Sequence, residues 1–275
     1  MRKLTTIICL LFYTISFPGF AQEASGEQII VPMSRPGEPG VLNIDHIKGS
    51  IVVTGYDGES VIVNASSGQR GNENPDQVQN GGLRRIVSNV IQLNAQEKDN
   101  ELTVQTNSHR HTIDLDIRVP HHFSLRLKTY HNGEIHVKNV SGEMEITNIN
   151  GDVVLEDVSG SAVVNTIDGH ILVQFRDVTP DIPMAFTSIE GKIDITFPQS
   201  MNASVKMKSD NGEIFSDFDI EMEKREIQVD KSNQTGLYKI SLEDWVHGKI
   251  NGGGPEILLK TLEGNIYIRK NESNR

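Results

Sequence analysis

The sequence predicts an all-β fold, a parallel β-helix or β-solenoid of short strands with about 18–22 residues per coil. Three observations lead there. Strand-forming residues alternate with polar ones along most of the chain, Gly, Asn, Asp and Ser punctuate them, and no stretch sustains a helical period. Glycine recurs at an even spacing, at Gly133, Gly142, Gly151, Gly160 and Gly169, with apolar residues two and four places later: Ile135/Val137, Met144/Ile146, Val153/Leu155, Ala162/Val164 and Ile171/Val173. The glycine units fall into two alternating classes, so equivalent units recur one coil apart.

Taking the chain in order, MRKLTTIICLLFYTISFPGFAQ has a basic start, a short apolar run and small residues before Ala21. It reads as a signal peptide over 1–21, cleaved so that the mature chain begins at Gln22. The run is shorter than the roughly 20 residues a spanning helix needs, and Cys9 lacks the small residues that precede a lipidated cysteine. Cleavage removes Arg2 and Lys3, leaving 24 Lys and Arg against 37 Asp and Glu, a formal −13. That charge excludes nucleic acid and anionic membrane surfaces as favoured partners. Cleavage also removes Cys9, the only cysteine, so the mature chain has no disulfide. Residues 22–275 are expected to form one β-solenoid domain, with polar loop insertions near 68–82 and 221–236.

Within the repeat, positions −2, 0, +2 and +4 about each glycine are expected to share the inward face, because strand side chains alternate. The next apolar residue, at +7, breaks that alternation and predicts a corner. The Asn-Gly, Asp-Gly and Ser-Gly pairs suit left-handed corner geometry. One class reads Asn-Ile-Asn-Gly (148–151), Thr-Ile-Asp-Gly (166–169), Ser-Ile-Glu-Gly (188–191) and Thr-Leu-Glu-Gly (261–264); Gly133 and Gly212 belong with it. The other reads Val-Ser-Gly at 140–142 and 158–160. The first class returns at equal steps at 133, 151 and 169, then at slightly longer steps at Gly191 and Gly212, which implies two strands per coil stacked in chain order. A weaker echo links VPHHFSLRLKTYHNGEI (119–135) to FPQSMNASVKMKSDNGEI (197–214). An antiparallel meander is the competing arrangement.

Several stretches resemble a family of exported bacterial β-strand-repeat proteins of unknown function that carry an adhesin label. They are GSIVVTGYDGESVIV (49–63), DLDIRVPHHFSLRLKT (114–129), the glycine units, NGEIFSDFDI (211–220) and INGGGPEILLKTLEGNIYIRK (250–270). The resemblance implies a β-helix-like fold and an envelope or surface location, with no catalytic residues to carry over.

The sequence holds few patterns that carry chemistry. Calcium-binding β-rolls need G-G-x-G-x-D-x-U-x, and these units have single glycines. His109 and His111 can share a strand face and His121 and His122 cannot; without cysteine or a third converging ligand they make no zinc site. Asp114 and Asp116 share a face, read as solvated. Gly252-Gly253-Gly254 is a turn, and no nucleophile elbow or phosphate loop occurs. Trp245 reads as a core or cap residue in preference to a sugar-stacking platform. No cofactor or metal is expected.

The reading is a non-catalytic exported protein of the periplasm, cell surface or extracellular space, binding an unknown protein or glycan. The alternative is a carbohydrate-active β-helix enzyme acting on an extracellular polysaccharide. Two strands per coil would align His136, Val154 and Leu172 as a small outward partner patch and set Glu156 beside Gln174. Three would set Lys138 beside Asn165.

Overall fold

The structure is a computed structural model that describes residues 27–67, 91, 93–106, 111–223 and 245–271. The expected signal peptide, the 68–82 insertion, His109 and all but residues 221–223 of the second insertion lie outside the described residues. The described residues hold no helix and twenty strands joined in one sheet. The strands are β1 (Glu27–Pro32), β2 (Gly40–Lys48), β3 (Ile51–Tyr56), β4 (Ser60–Ser67), β5 (Leu93–Lys98), β6 (Glu101–Thr106) and β7 (Ile113–Pro120). Next come β8 (Phe123–His131), β9 (Ile135–Lys138), β10 (Ser141–Asn148), β11 (Val153–Asn165), β12 (Ile171–Val178), β13 (Met184–Glu190) and β14 (Ile193–Phe197). The last are β15 (Ala203–Asn211), β16 (Ile214–Ser216), β17 (Ile220–Met222), β18 (Val246–Ile250), β19 (Glu256–Glu263) and β20 (Ile266–Lys270).

Pairing sorts them into two ladders. One runs β5-β6-β2-β8-β10-β11-β13-β19-β15-β18-β17. The other runs β1-β4-β7-β3-β9-β11-β12-β14-β20-β16. β11 belongs to both, because it turns the corner at Asp157, whose φ is 52°. From β6 to β15 and from β7 to β16 every pairing is parallel; antiparallel strands close the ends. The central register follows the repeat: Gly142 pairs with Gly160, and Val153 pairs with Ile135 on one side and Ile171 on the other, each one repeat away in the chain.

Alternation then builds the core. Ile44, Leu127, Ile146, Val164, Phe186, Leu259 and Met207 follow one another across the first ladder. Ile51, Ile135, Val153, Ile171, Ile193 and Ile266 do so across the second. All are at most 2% exposed and belong to one cluster. Each contributes roughly 1.5–3 kcal/mol on burial. Phe175 fills the wider rungs by stacking on Phe197 at 5.3 Å and meeting Phe186 edge-on at 6.4 Å.

The order of rungs departs from chain order. After Gly191 the next rung is Gly264, and Gly212 lies beyond it: β19 and β20 slot between β13/β14 and β15/β16. The step from Gly191 to Gly212 is therefore not a coil. At the other end β2 and β3 slot between β6/β7 and β8/β9. So the first and last parallel coils of the chain are each second from an end of the parallel stack. The two echoing segments, 119–135 and 197–214, are the coils that receive these intruders.

Two further expectations need correction. Ile167 and Ile189, at −2, are 46% and 44% exposed, whereas Val140 and Val158 are fully buried. In the first class alternation continues inward through the −3 residue, which turns −2 outward. The register between β11 and β12 also shifts after Leu155/Val173, so Glu156 pairs with Lys138 and Gln174 with Thr196.

Candidate binding face at the glycine corner

The first-class corner is built from four residues with four tasks. Its glycines stack directly. A Cβ on Gly133 would stand 1.8 Å from the Gly49 carbonyl oxygen, one on Gly151 2.4 Å from that of Gly133, and one on Gly169 2.1 Å from that of Gly151. The series continues through Gly191 and Gly264 to Gly212. Only part of it adopts left-handed backbone: Gly151 has φ 131°, while Gly133 and Gly212 are not among the positive-φ residues. Space between rungs, more than corner geometry, dictates the repeat.

Three places before Gly49, Gly151, Gly169, Gly191 and Gly264 stands a buried polar residue: His46, Asn148, Thr166, Ser188 and Thr261, none more than 5% exposed. These side chains satisfy the stacked carbonyls. Asn148 Nδ2 donates to Gly133 O at 2.9 Å, Ser188 Oγ to Gly169 O at 3.1 Å, and Thr261 Oγ1 to Gly191 O at 3.0 Å. His46 Nε2 lies 2.7 Å from Ile113 O, which fixes that nitrogen as the donor; Nδ1 then accepts from Thr106 Oγ1 at 2.7 Å. Burial pushes the His46 pKa down, with the hydrogen bond to Ile113 opposing it. The sequence carries this ladder openly, in the first letter of each four-residue motif, but an apolar-pattern reading passes over it.

The two remaining places face solvent. At −2, Ile167, Ile189 and Leu262 are 46%, 44% and 43% exposed on successive rungs. At −1, Asp168 pairs with Glu190, and Glu190 with Glu263. Rungs repeat at about 4.8 Å, so three carboxylates stand in file. Among the described residues none has a cationic side chain within ion-pair distance; Asn150 Nδ2 donates to Asp168 Oδ2 at 3.2 Å. Beside them runs a groove of about 640 Å³, lined by this row, the glycines and the +1 side chains Asp152, His170, Lys192 and Asn265, with Tyr267 at one end.

Three of the +1 side chains are committed to the backbone. Asp152 Oδ1 accepts from His170 N at 2.7 Å, His170 Nδ1 from Lys192 N at 3.1 Å, and Asn265 Oδ1 from Glu213 N at 2.9 Å. His170 Nδ1 is thus occupied and unavailable as a base. No group of three or more His, Cys, Asp or Glu among the described residues is disposed to hold a metal ion.

Other singled-out residues lie elsewhere. Val154 pairs with His136 and Leu172, all three half-buried on the outer face of the second ladder. That row continues through Asp194 and Tyr267 to Phe215, whose ring stacks on Tyr267 at 5.1 Å. Glu156 lies 3.4 Å from both His136 Nε2 and Lys138 Nζ. Burial would raise its pKa, but these two neighbours outweigh it and hold the carboxyl below its ordinary value. Asp114 Oδ1 accepts from Ser50 N at 2.9 Å, a structural use, while Asp116 is exposed. His121 lies between Asn139 O at 3.0 Å and Asp57 Oδ1 at 3.1 Å, and His122 is exposed. Trp245 is half-buried beside Lys206 and is not a core residue.

Residues 124–251 match the family described as Toastrack DUF4097, a span running through β8 to β18 and leaving both intruding coils outside it. No curated protein matches the chain. Two solved structures are similar. A candidate cell adhesion protein from Clostridium sporogenes ATCC 15579 has 12% identity and a TM-score of 0.42, over 90% of this chain and 100% of that one. A candidate adhesin from Parabacteroides merdae ATCC 43184 has 8% identity and a TM-score of 0.27, over 90% and 97%.

Proposed function

We infer that this chain, whose residues 124–251 match the Toastrack DUF4097 family, is a non-catalytic binding or scaffolding module. In this reading it is exported by cleavage after Ala21 and works in the periplasm or at the cell surface, where its partner is a protein or glycan. Its finer architecture is a β-solenoid with two strands in each repeating coil. The pairing of Val153 with Ile171, and of Ile171 in turn with Ile193, supports this.

The observation that carries the reading is the first-class corner. Three aliphatic side chains stand in file in water beside three carboxylates in file. Neither row stabilises the isolated protein: stacked like charges repel, and an exposed aliphatic forgoes most of the roughly 1.5–3 kcal/mol of burial. A partner that is apolar at its centre and cationic or hydroxyl-rich at its rim would relieve both. The row His136, Val154 and Leu172 is proposed as a second, smaller contact strip.

A triple variant tests the corner. Ile167→Ser, Ile189→Ser and Leu262→Ser together should leave stability nearly unchanged, within about 0.5 kcal/mol per site. The wild-type protein should co-sediment with envelopes isolated from the cells that express it, and the variant should stay in the supernatant. Equal sedimentation of the two contradicts the assignment of this face.

The row of carboxylates also gives the carbohydrate-active alternative a concrete form, with Asp168 and Glu190, one rung apart, as its acid and nucleophile in the groove. Release of reducing ends from an extracellular polysaccharide, abolished by Asp168→Asn and Glu190→Gln, would replace the binding reading with that one.

A further inference from the structure

On the outer faces of both ladders, cations are repeatedly matched across strands by carboxylates. Arg126 lies 3.6 Å from Glu101, Lys138 3.4 Å from Glu156, Arg269 2.6 Å from Asp194 and Lys249 3.2 Å from Glu223. At one place three cations gather instead. Lys206 and Lys208 project from the same face of β15, and Lys260 pairs directly with Lys208 from β19. Their ammonium nitrogens lie 4.6, 5.9 and 6.0 Å from the centre of the Trp245 indole. Among the described residues, Lys208 alone of the three has a carboxylate within ion-pair distance, Asp210 at 3.0 Å. Like charges directly opposed across strands are destabilising. The cation–π contacts offset part of that, yet among the described residues Lys206 and Lys260 have no carboxylate within ion-pair distance.

We propose that Lys206, Lys208 and Lys260, gathered round Trp245, form a binding site for a short acidic oligosaccharide, whose sugar rings carry carboxylates. The Lys206 and Lys260 ammonium groups pair with the carboxylates. The indole and the neighbouring half-buried Leu258, which pairs with Lys206, offer apolar surface to the C–H faces of the sugar. Length is limited by charge. Glu263 follows Lys260 on the same strand and opens the file of carboxylates at the glycine corner, so a long polyanion crossing that edge would be repelled. The site lies apart from the corner groove and does not depend on its function.

Trp245 is the only tryptophan in the chain, so its fluorescence reports on this site alone. Titration of the full chain with trigalacturonate should change that fluorescence saturably, and calorimetry should return the same affinity. The affinity should fall with added salt. The Lys206→Gln/Lys260→Gln variant should bind about tenfold more weakly or worse, with an unchanged melting temperature. If that variant fails to fold, Lys260→Gln alone, at an exposed position, should still weaken binding. Neutral galactotriose should not compete. Absence of binding by both methods, equal affinity in the lysine variants, or equal binding of galactotriose overturns the site. Equal binding of a trinucleotide of the same charge overturns its assignment to sugars.

Discussion

Gly37 and Gly133 separate two reasons for a glycine. Gly37 has φ 82° and nothing within 4 Å of a built Cβ, so Gly37→Ala should cost only the left-handed backbone penalty of about 1–2 kcal/mol. Gly133 is not among the positive-φ residues, but its Cβ would meet a carbonyl oxygen at 1.8 Å, which only movement of a rung can relieve. Gly151→Ala combines both burdens and should lower the melting temperature more than Gly37→Ala does. Equal losses at Gly37 and Gly151 would show that rung contact is unimportant. Thr261 and Leu262 invert the usual expectation for a polar and an apolar residue. Thr261→Val removes a buried donor to Gly191 O and should cost about 1–3 kcal/mol, whereas Leu262→Ser should cost little. Urea midpoints of the two variants decide it. His46 adds a pH dependence. Its folded pKa is lowered below the ordinary value of about 6.5, so protonation favours the unfolded chain. The stability held by neutral His46 is complete above that value and is lost as pH falls below it. Melting curves between neutral and mildly acidic pH should lose this slope in His46→Gln.

Individual strands were the most legible level of the sequence. Apolar residues at +2 and +4 fall on the buried face at Ile135/Val137, Val153/Leu155 and Ile171/Val173 without exception. The sequence spacing of Gly142 and Gly160 is the register in which they pair. What stayed hidden was the corner. Hydropathy alone assigns Ile167 and Ile189 to the core, because it cannot register that Thr166 and Ser188 take the inward place to serve a carbonyl. The shift between β11 and β12 was equally unreadable, since it depends on Asp157 turning at φ 52°. It also moves the useful cross-link. Val154→Cys with Leu172→Cys, facing pairs on neighbouring strands, should oxidise readily at the rung spacing of about 4.8 Å. Lys138→Cys with Asn165→Cys should not, because those residues pair with Glu156 and with Thr147 and Thr187. Cross-linking of the second pair alone would contradict two strands per coil.

At the scale of the whole molecule, the proposed binding face depends on rung order. Glycine spacing is a local signal, and nothing in it tells Gly191 that its neighbour is the distant Gly264 and not Gly212. If the coils followed chain order, Asp210 and Asn211 would stand where Leu262 and Glu263 do, and the two files would end at Ile189 and Glu190. The intruding last coil lengthens the apolar ridge and the row of carboxylates by one rung each. It also brings Lys260 to Lys208 and so assembles the lysine cluster. The same device at the other end, with β2 and β3 between β6/β7 and β8/β9, buries early residues inside the stack. Proteolytic trimming of the last coil should therefore expose core on both its neighbours and abolish the cooperative melt, not merely shorten the stack. The most direct test of this architecture uses paired cysteines in a Cys9→Ser background, which holds no other thiol. Ala185→Cys with Leu258→Cys, which pair across β13 and β19, should form a disulfide under mild oxidation, and Ala185→Cys with Lys206→Cys should not. A disulfide between 185 and 206, with none between 185 and 258, would return the coils to chain order and dissolve the continuous corner face.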